Sequence, residues 1–381
     1  MEATGICANE FDSIKNAFED IFKDPQERGG ALCVKIGDET VVDLWAGSSD
    51  LEGNKPWNKD TLVNTFCTIK PFAAVAALML VEEGKLELDI PVAHYWPEFS
   101  QGGKDKITLR HVMSHTSGIP AFRLPDRNPA MYDWEHMIND LAAEPLWWQP
   151  GTDLGYGTTT YGWIIGELIR RTDGRNPCTF IHEEITQPHG LEVHLGVDQQ
   201  DYYRIAHFDA AKGRTGDPYS KHLRAVVAGD SQDISTLAFT NPGMSPKRSS
   251  DPRWWAFKHP GACSHSTASG LAGFYSALLA GRFISTQMLN EFTKEQSSGM
   301  DRIWKRPMRY GLGCMMEQKA DPNASHCMGP NTFGHIGLGG PIAFADPERE
   351  ISFSFVTTTS GGHTMIDPRA QHLAALAYAA I

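Results

Sequence analysis

The feature that most limits what this chain can become is a lysine–proline step leading into a run of ten apolar residues. The segment reads Thr65-Phe66-Cys67-Thr68-Ile69-Lys70-Pro71, and the apolar run covers residues 72–81. Proline has no amide proton and its ring clashes with the preceding turn, so a helix tolerates it only in the first turn. The helix is therefore expected to start near residue 67. From Phe72 onward it is apolar on every side, leaves no face for solvent, and must be enclosed by other elements. Enclosure of that kind needs a large core, which a chain of 381 residues can supply without disulfides or metals.

Residues three apart share a helical face, so Cys67 and Lys70 are expected to be neighbours at the start of this helix. One reading is a thiolate nucleophile at a helix N-terminus with an ammonium partner. The other is a buried cysteine acting as a small hydrophobe beside a lysine that snorkels to solvent. Spacing alone leaves both open.

Helical spacing puts Phe11, Ile14, Phe18 and Phe22 on one face of residues 8–23. Strand-like runs follow at 31–36 and 40–45, separated by Gly37-Asp38-Glu39, which predicts a hairpin. The C-terminal end mirrors this, with strand-like runs at 341–345 and 351–357 joined by Asp346-Pro347-Glu348-Arg349, then a helix over 367–379. The economical arrangement is an α+β fold in which one antiparallel sheet is built from both termini and flanked by the terminal helices. The expected division is one catalytic unit over 1–381, with an α/β subdomain at about 8–60 and 300–381. A helical, loop-rich subdomain occupies about 61–299, with helices over 67–84, 108–114, 132–143, 160–172 and 266–281. Residues 197–260 read as a polar surface stretch with little regular structure.

The formal net charge of −12 comes from scattered acidic residues. No basic stripe is present, which argues against a nucleic-acid partner. The short runs Lys104-Asp105-Lys106 and Lys305-Arg306 read as solvated loops. Seven cysteines, dispersed and without C-x-x-C spacing, argue against a disulfide framework or zinc site and suit a reducing compartment. The N-terminal residues lack the apolar core of a signal peptide, and the longest apolar run is well short of the ~20 residues of a membrane span. The expectation is a soluble, cytoplasmic protein with no membrane partner; oligomeric state is not legible.

Four ordered stretches carry a resemblance. Thr65 to Lys70 resembles the S-x-x-K segment of penicillin-binding proteins and class C β-lactamases. Ile107-Thr108-Leu109-Arg110-His111-Val112-Met113-Ser114-His115-Thr116-Ser117-Gly118-Ile119 is similar to a second signature of that group. Trp148-Gln149-Pro150-Gly151 through Tyr156, then Tyr161 to Ile169, resembles the region of its catalytic tyrosine. Gly334-His335-Ile336-Gly337-Leu338-Gly339-Gly340 resembles an H-x-G form of its third motif. The chain thus resembles the serine β-lactamase-like superfamily, and most of all the family VIII carboxylesterases and related acyltransferases.

The resemblance implies an acyl-enzyme hydrolase or acyltransferase acting on small-molecule esters or thioesters, with no cofactor and no metal. Cys67 would be the nucleophile, Lys70 would help deprotonate it, and Tyr156 would share acid/base work. The backbone amides of Cys67 and Leu338 would form an oxyanion hole. His335, on an edge strand, would orient the substrate, with Gly337 and Trp148 also binding it. Tyr161 competes with Tyr156. The Gly155 and Gly157 neighbours favour Tyr156, whereas the helical spacing of Tyr161 with Ile164 and Ile165 reads as core. His111 and His115 have a metal-compatible spacing but no third ligand, and read as structural. Trp147, Trp148, Trp254 and Trp255 are candidates for an acyl pocket. Two residues depart from the pattern: Cys67 stands where the family uses serine, and Thr158 where β-lactamases carry asparagine. One sequence fits a native cysteine and a replaced serine equally well. The remaining alternatives are a non-hydrolytic biosynthetic step, such as cyclisation, in the same pocket, and a non-catalytic binding protein on a degenerate hydrolase fold.

Overall fold

The computed structural model describes residues 1–123, 130–243 and 249–381. Its centre is a nine-stranded antiparallel sheet drawn from both ends of the chain. The strands are β1 (Thr4–Cys7), β2 (Gly29–Ile36), β3 (Glu39–Gly47), β4 (Ser297–Asp301), β5 (Arg306–Tyr310), β6 (Met315–Met316), β7 (Phe333–Ile336), β8 (Ile342–Asp346) and β9 (Ile351–Thr357). Across the sheet they run β1-β3-β2-β9-β8-β7-β6-β5-β4. The principal helices are α1 (Asp12–Ile21), α2 (Lys70–Glu82), α3 (Trp134–Ala143), α4 (Thr160–Asp173), α5 (Pro218–Gly229), α6 (Ile234–Thr240), α7 (Ala268–Leu279) and α8 (Pro368–Ala379).

β9 joins the two ends, pairing with N-terminal β2 on one side and β8 on the other. All seven of its residues are buried, because both faces of the sheet are covered. The alternation of a strand sends Ile351, Phe353 and Phe355 into the core shared with α1 and α8. On the opposite face, the Ser354 hydroxyl donates to Ala268 O of α7 at 2.6 Å. The β2–β3 turn is tighter than the sequence suggests. Ile36 pairs with Glu39, so the turn is Gly37-Asp38 and Glu39 belongs to the strand. Gly37, at φ 54°, supplies the left-handed residue that a two-residue hairpin demands.

α2 runs through the middle of the second core, and residues 72–78 are fully buried. Phe72 stacks on Phe274 of α7, with ring centroids 3.6 Å apart, and α4 packs alongside. The helix begins with a 3-10 turn, Phe66–Ile69, and becomes α-helical at Lys70 with proline in its first turn.

Two expectations are corrected. The 197–260 stretch carries α5, α6 and a short turn, Pro252–Trp255. Each starts at an aspartate whose carboxylate accepts a backbone N–H: Ser220 N to Asp217 at 3.0 Å, Ser235 N to Asp233 at 2.7 Å, and Arg253 N to Asp251 at 2.9 Å. Asp217-Pro218 and Asp251-Pro252 occupy the N-cap and N1 positions of their helices. The short basic runs are not wholly solvated either, since Lys104 and Arg306 are both 0% exposed. Lys104 Nζ donates to the carbonyls of Gln101 (2.7 Å), Ala142 (2.9 Å) and Glu144 (2.5 Å). Arg306 Nε donates to Asp321 at 2.9 Å, with Asp217 also within ion-pair reach. Among the described residues, no helix is long and apolar enough to cross a membrane.

Candidate active site

The site forms where the start of α2 meets the loop before α4 and the turn after β7. Phe66 takes φ 51°, a left-handed conformation that costs a non-glycine residue about 1–2 kcal/mol. Its neighbours hold it there. Phe66 N donates to Asn64 Oδ1 at 3.3 Å, Ser264 Oγ donates to Phe66 O at 3.2 Å, and Thr65 N donates to Ser264 O at 2.9 Å. The Phe66 ring is clamped edge-on against Phe208. This sharp turn sets Cys67 in the wall of a narrow cleft, where it is 7% exposed.

Lys70 is fully buried. Two of its protons go to carbonyls, Thr158 O at 2.8 Å and Gly261 O at 2.5 Å, and the Cys67 side chain lies close enough to act on the amine. Burial pushes the Lys70 amine below its ordinary 10.5, and Cys67 partly opposes that shift. A neutral amine with both N–H groups engaged on carbonyls turns its lone pair to the sulfur.

The Tyr156 hydroxyl also contacts Cys67, and burial, reinforced by Cys67, holds its pKa well above 10. It therefore stays protonated and is a donor at neutral pH. His335 Nδ1 lies 2.7 Å from Ile336 O, so Nδ1 carries the proton and donates. Burial and the nearby Lys70 depress His335 to about 3, so its Nε2 is a free acceptor, 3.5 Å from the Tyr156 hydroxyl. The Lys70 amine also lies 4.7 Å from the Tyr156 ring centre. Cys67, Lys70, Tyr156 and His335 thus form one contiguous cluster. β7 is not an edge strand, since β6 and β8 flank it. β6 pairs only with Phe333 and Gly334, however, which leaves His335 and Ile336 open on that side.

Gly337 follows directly and packs on the segment that carries Cys67. A Cβ at this position would sit 2.2 Å from Thr65 O, so only glycine permits the approach. Its own N–H closes a turn onto Pro341 O at 2.7 Å. Gly337 and Leu338 line the cleft with Cys67, Tyr156, Thr158, Phe239, Trp304 and Ile336. The cleft measures about 20 Å³, room for little more than one water in this state.

The structure separates the two tyrosines. Tyr161 is buried, its hydroxyl donates to Lys70 O at 3.3 Å, and it does not line the cleft. Trp148 does not line it either. Its indole lies under the Tyr156 loop, where a Cβ on Gly155 would come within 2.4 Å of it. Trp147, Trp254 and Trp255 are likewise absent from the cleft wall, and Trp254 is in the core. The tryptophan in the wall is Trp304, packed between a tilted Tyr156 ring and an edge-on Phe239 ring, each with its centre 5.1 Å away. Sequence reasoning missed Trp304, Phe239 and the Gly261 carbonyl; only a Trp in the short turn between β4 and β5 signals anything. His111 caps its own helix, accepting from Thr108 N at 3.2 Å. His115 Nδ1 accepts from Gly157 N at 3.2 Å and braces the Tyr156 loop. Among the described residues, no three metal-ligating side chains converge.

The chain and its fold have counterparts among known proteins. The chain is 28% identical over 367 residues to the esterase/beta-lactamase LipL of Mycobacterium tuberculosis, covering 92% of this chain and 82% of that one. It superposes on a family VIII carboxylesterase with a TM-score of 0.90 at 30% identity, over the whole of both chains. A penicillin-binding protein homologue from Caulobacter crescentus gives a TM-score of 0.89 at 32% identity, again over the whole of both. The family model described as Beta-lactamase matches residues 14–377, and the chain belongs to that family.

Proposed function

We propose that the protein is an acyl-enzyme hydrolase or acyltransferase of small-molecule esters or thioesters, with Cys67 as nucleophile. The observation that carries this reading is that one sulfur, in the wall of a cleft, contacts both a buried amine and a protonated phenol. Lys70 takes the thiol proton as Sγ attacks the substrate carbonyl carbon. The new C–S bond forms as the carbonyl π pair moves to oxygen. The amides of Cys67 and Leu338 receive that oxyanion; Leu338 N donates to no backbone carbonyl among the described residues. The tetrahedral intermediate collapses with the alkoxide or thiolate leaving, protonated by Tyr156, which is replenished from Lys70. Water or an alcohol then reverses the sequence on the thioester. His335, neutral and fixed as an acceptor, holds the Tyr156 hydroxyl over the sulfur.

The relatives' printed names, esterase and carboxylesterase, support ester chemistry. The test is incubation with p-nitrophenyl acetate and butyrate, followed by intact mass. A gain of one acyl group that is absent in Cys67→Ala supports the reading, and absence of any gain in the unaltered protein rejects it.

A further inference from the structure

The Tyr156 backbone is fastened from a remote element, the turn between β4 and β5 at the far edge of the sheet. Asp301, the last residue of β4, is fully buried and its carboxylate accepts four hydrogen bonds. Oδ1 closes its own turn, accepting from Ile303 N at 2.8 Å and Trp304 N at 2.9 Å. Oδ2 accepts from the Tyr310 hydroxyl at 3.0 Å and, across the site, from Tyr156 N at 3.0 Å. Around it the same two segments are stitched together twice more: Arg302 N donates to Leu154 O at 2.9 Å, and Arg302 pairs with Asp153 at 2.8 Å. One carboxylate thus fixes both the residue whose hydroxyl meets Cys67 and Trp304, the indole that packs on that tyrosine and walls the cleft.

We propose that Asp301 is a positioning residue for Tyr156: it touches no reacting atom but sets where the phenol stands relative to Cys67. The proposal rests on the catalytic reading of Tyr156 given above. A carboxylate is the one side chain of this size with acceptors only, so it satisfies four donors without a clash. Asparagine keeps the volume, but its amide must face one pair of those donors. If its oxygen stays on the turn amides, the NH2 group confronts Tyr156 N–H, which loses its acceptor while buried.

The test is a double-mutant cycle on p-nitrophenyl acetate turnover, with Asp301→Asn, Tyr156→Phe and the two combined. An unmet buried donor corresponds to a fall of about 10- to 100-fold in kcat for Asp301→Asn, with KM within about threefold. In the Tyr156→Phe background the same change should cost less than about twofold, because the group it positions is already gone. A merely structural role would cost the same in both backgrounds, and that outcome overturns the proposal. So does an Asp301→Asn protein of unaltered kcat when Tyr156→Phe is impaired. An unimpaired Tyr156→Phe instead removes the reading of Tyr156 itself, and the role of Asp301 with it. If Asp301→Asn does not fold, Tyr310→Phe removes one donor and leaves the carboxylate. A kcat loss of about two- to fivefold that vanishes in the Tyr156→Phe background supports the proposal, and an equal loss in both backgrounds rejects it.

Discussion

Among the described residues two lysines lie wholly inside this protein, and the difference between them is one of free valence. Lys104 sits where residues 97–104 meet the end of α3, and Lys70 at the start of α2. Both are 0% exposed, and both are held by backbone carbonyls. Lys104 spends all three donors on carbonyls, those of Gln101, Ala142 and Glu144. Burial lowers it to about 8, with the Glu144 carboxylate pulling the other way. Its valence is full, and it serves as a knot tying two segments together. Lys70 has two carbonyls and a sulfur. The missing third carbonyl makes it available as a base. A buried lysine is thus a candidate for catalysis not because it is buried but because one of its donor directions is left for a reacting atom.

The largest expected effect comes from Lys70→Met, which should lower acyl transfer from p-nitrophenyl acetate by about 1000-fold or more, since the thiol loses its proton acceptor. Lys104→Met assayed in parallel should stay within about threefold of the unaltered rate. A comparable loss in both variants would break the distinction between the two lysines. Next, Tyr156→Phe should cost about 100-fold in kcat, the range of one general acid–base group. Tyr161→Phe, five residues along and facing the core, should change kcat by less than about threefold.

The pH profile sharpens the comparison further. If Lys70 is the base of the proposed mechanism it reacts as the neutral amine, so the acylation rate should climb with pH by up to about tenfold per unit, and level off once pH passes its lowered pKa, below 10.5. Lys70→Arg, which cannot deprotonate, should flatten that rise. A profile that is flat in the unaltered protein would remove Lys70 from the base role.

Stability effects come last. Lys104→Met leaves three buried carbonyls without their donor and should destabilise by about 1–3 kcal/mol in urea unfolding. Acid should also destabilise the fold. His259, His265 and His335 are each pushed by burial to about 3, well under their ordinary 6.5. Their folded pKa values are depressed, so the unfolded chain binds more protons between those limits. Stability is fully present above about 6.5 and is lost as pH falls toward 3, by up to about 1.4 kcal/mol per unit for each histidine. A melting temperature that holds between pH 6.5 and 4 would contradict this. The smallest expected change is Tyr161→Phe, at about 1 kcal/mol for one lost hydrogen bond.

Much of this was legible in the chain. The two hairpins follow from strand-like runs around turn residues, the N-terminal helix from helical spacing, and the buried α2 from a proline followed by an unbroken apolar run, and all of these are local properties. The 197–260 stretch misled because its polar residues read as loop, whereas an Asp-Pro step such as Asp217-Pro218 or Asp251-Pro252 also caps a helix, and only what packs behind it decides. Lys104 and Arg306 misled because a charge is read as exposed unless its partners are known. Those partners lie far away in sequence: Lys104 reaches carbonyls 38 and 40 residues along, and Arg306 an aspartate 15 residues along.

What the sequence determined by itself is the meeting of Cys67 and Lys70, because one helical turn brings residues three apart onto one face whatever surrounds them. The tertiary structure decided which tyrosine reaches the sulfur, which carbonyls bind the amine, and which side chains wall the cleft. The Thr158 carbonyl lies 88 residues from Lys70 and the Gly261 carbonyl 191. Contacts over such separations are set by how the sheet, α2 and the loops pack together, not by any local repeat, so no periodicity in the chain records them.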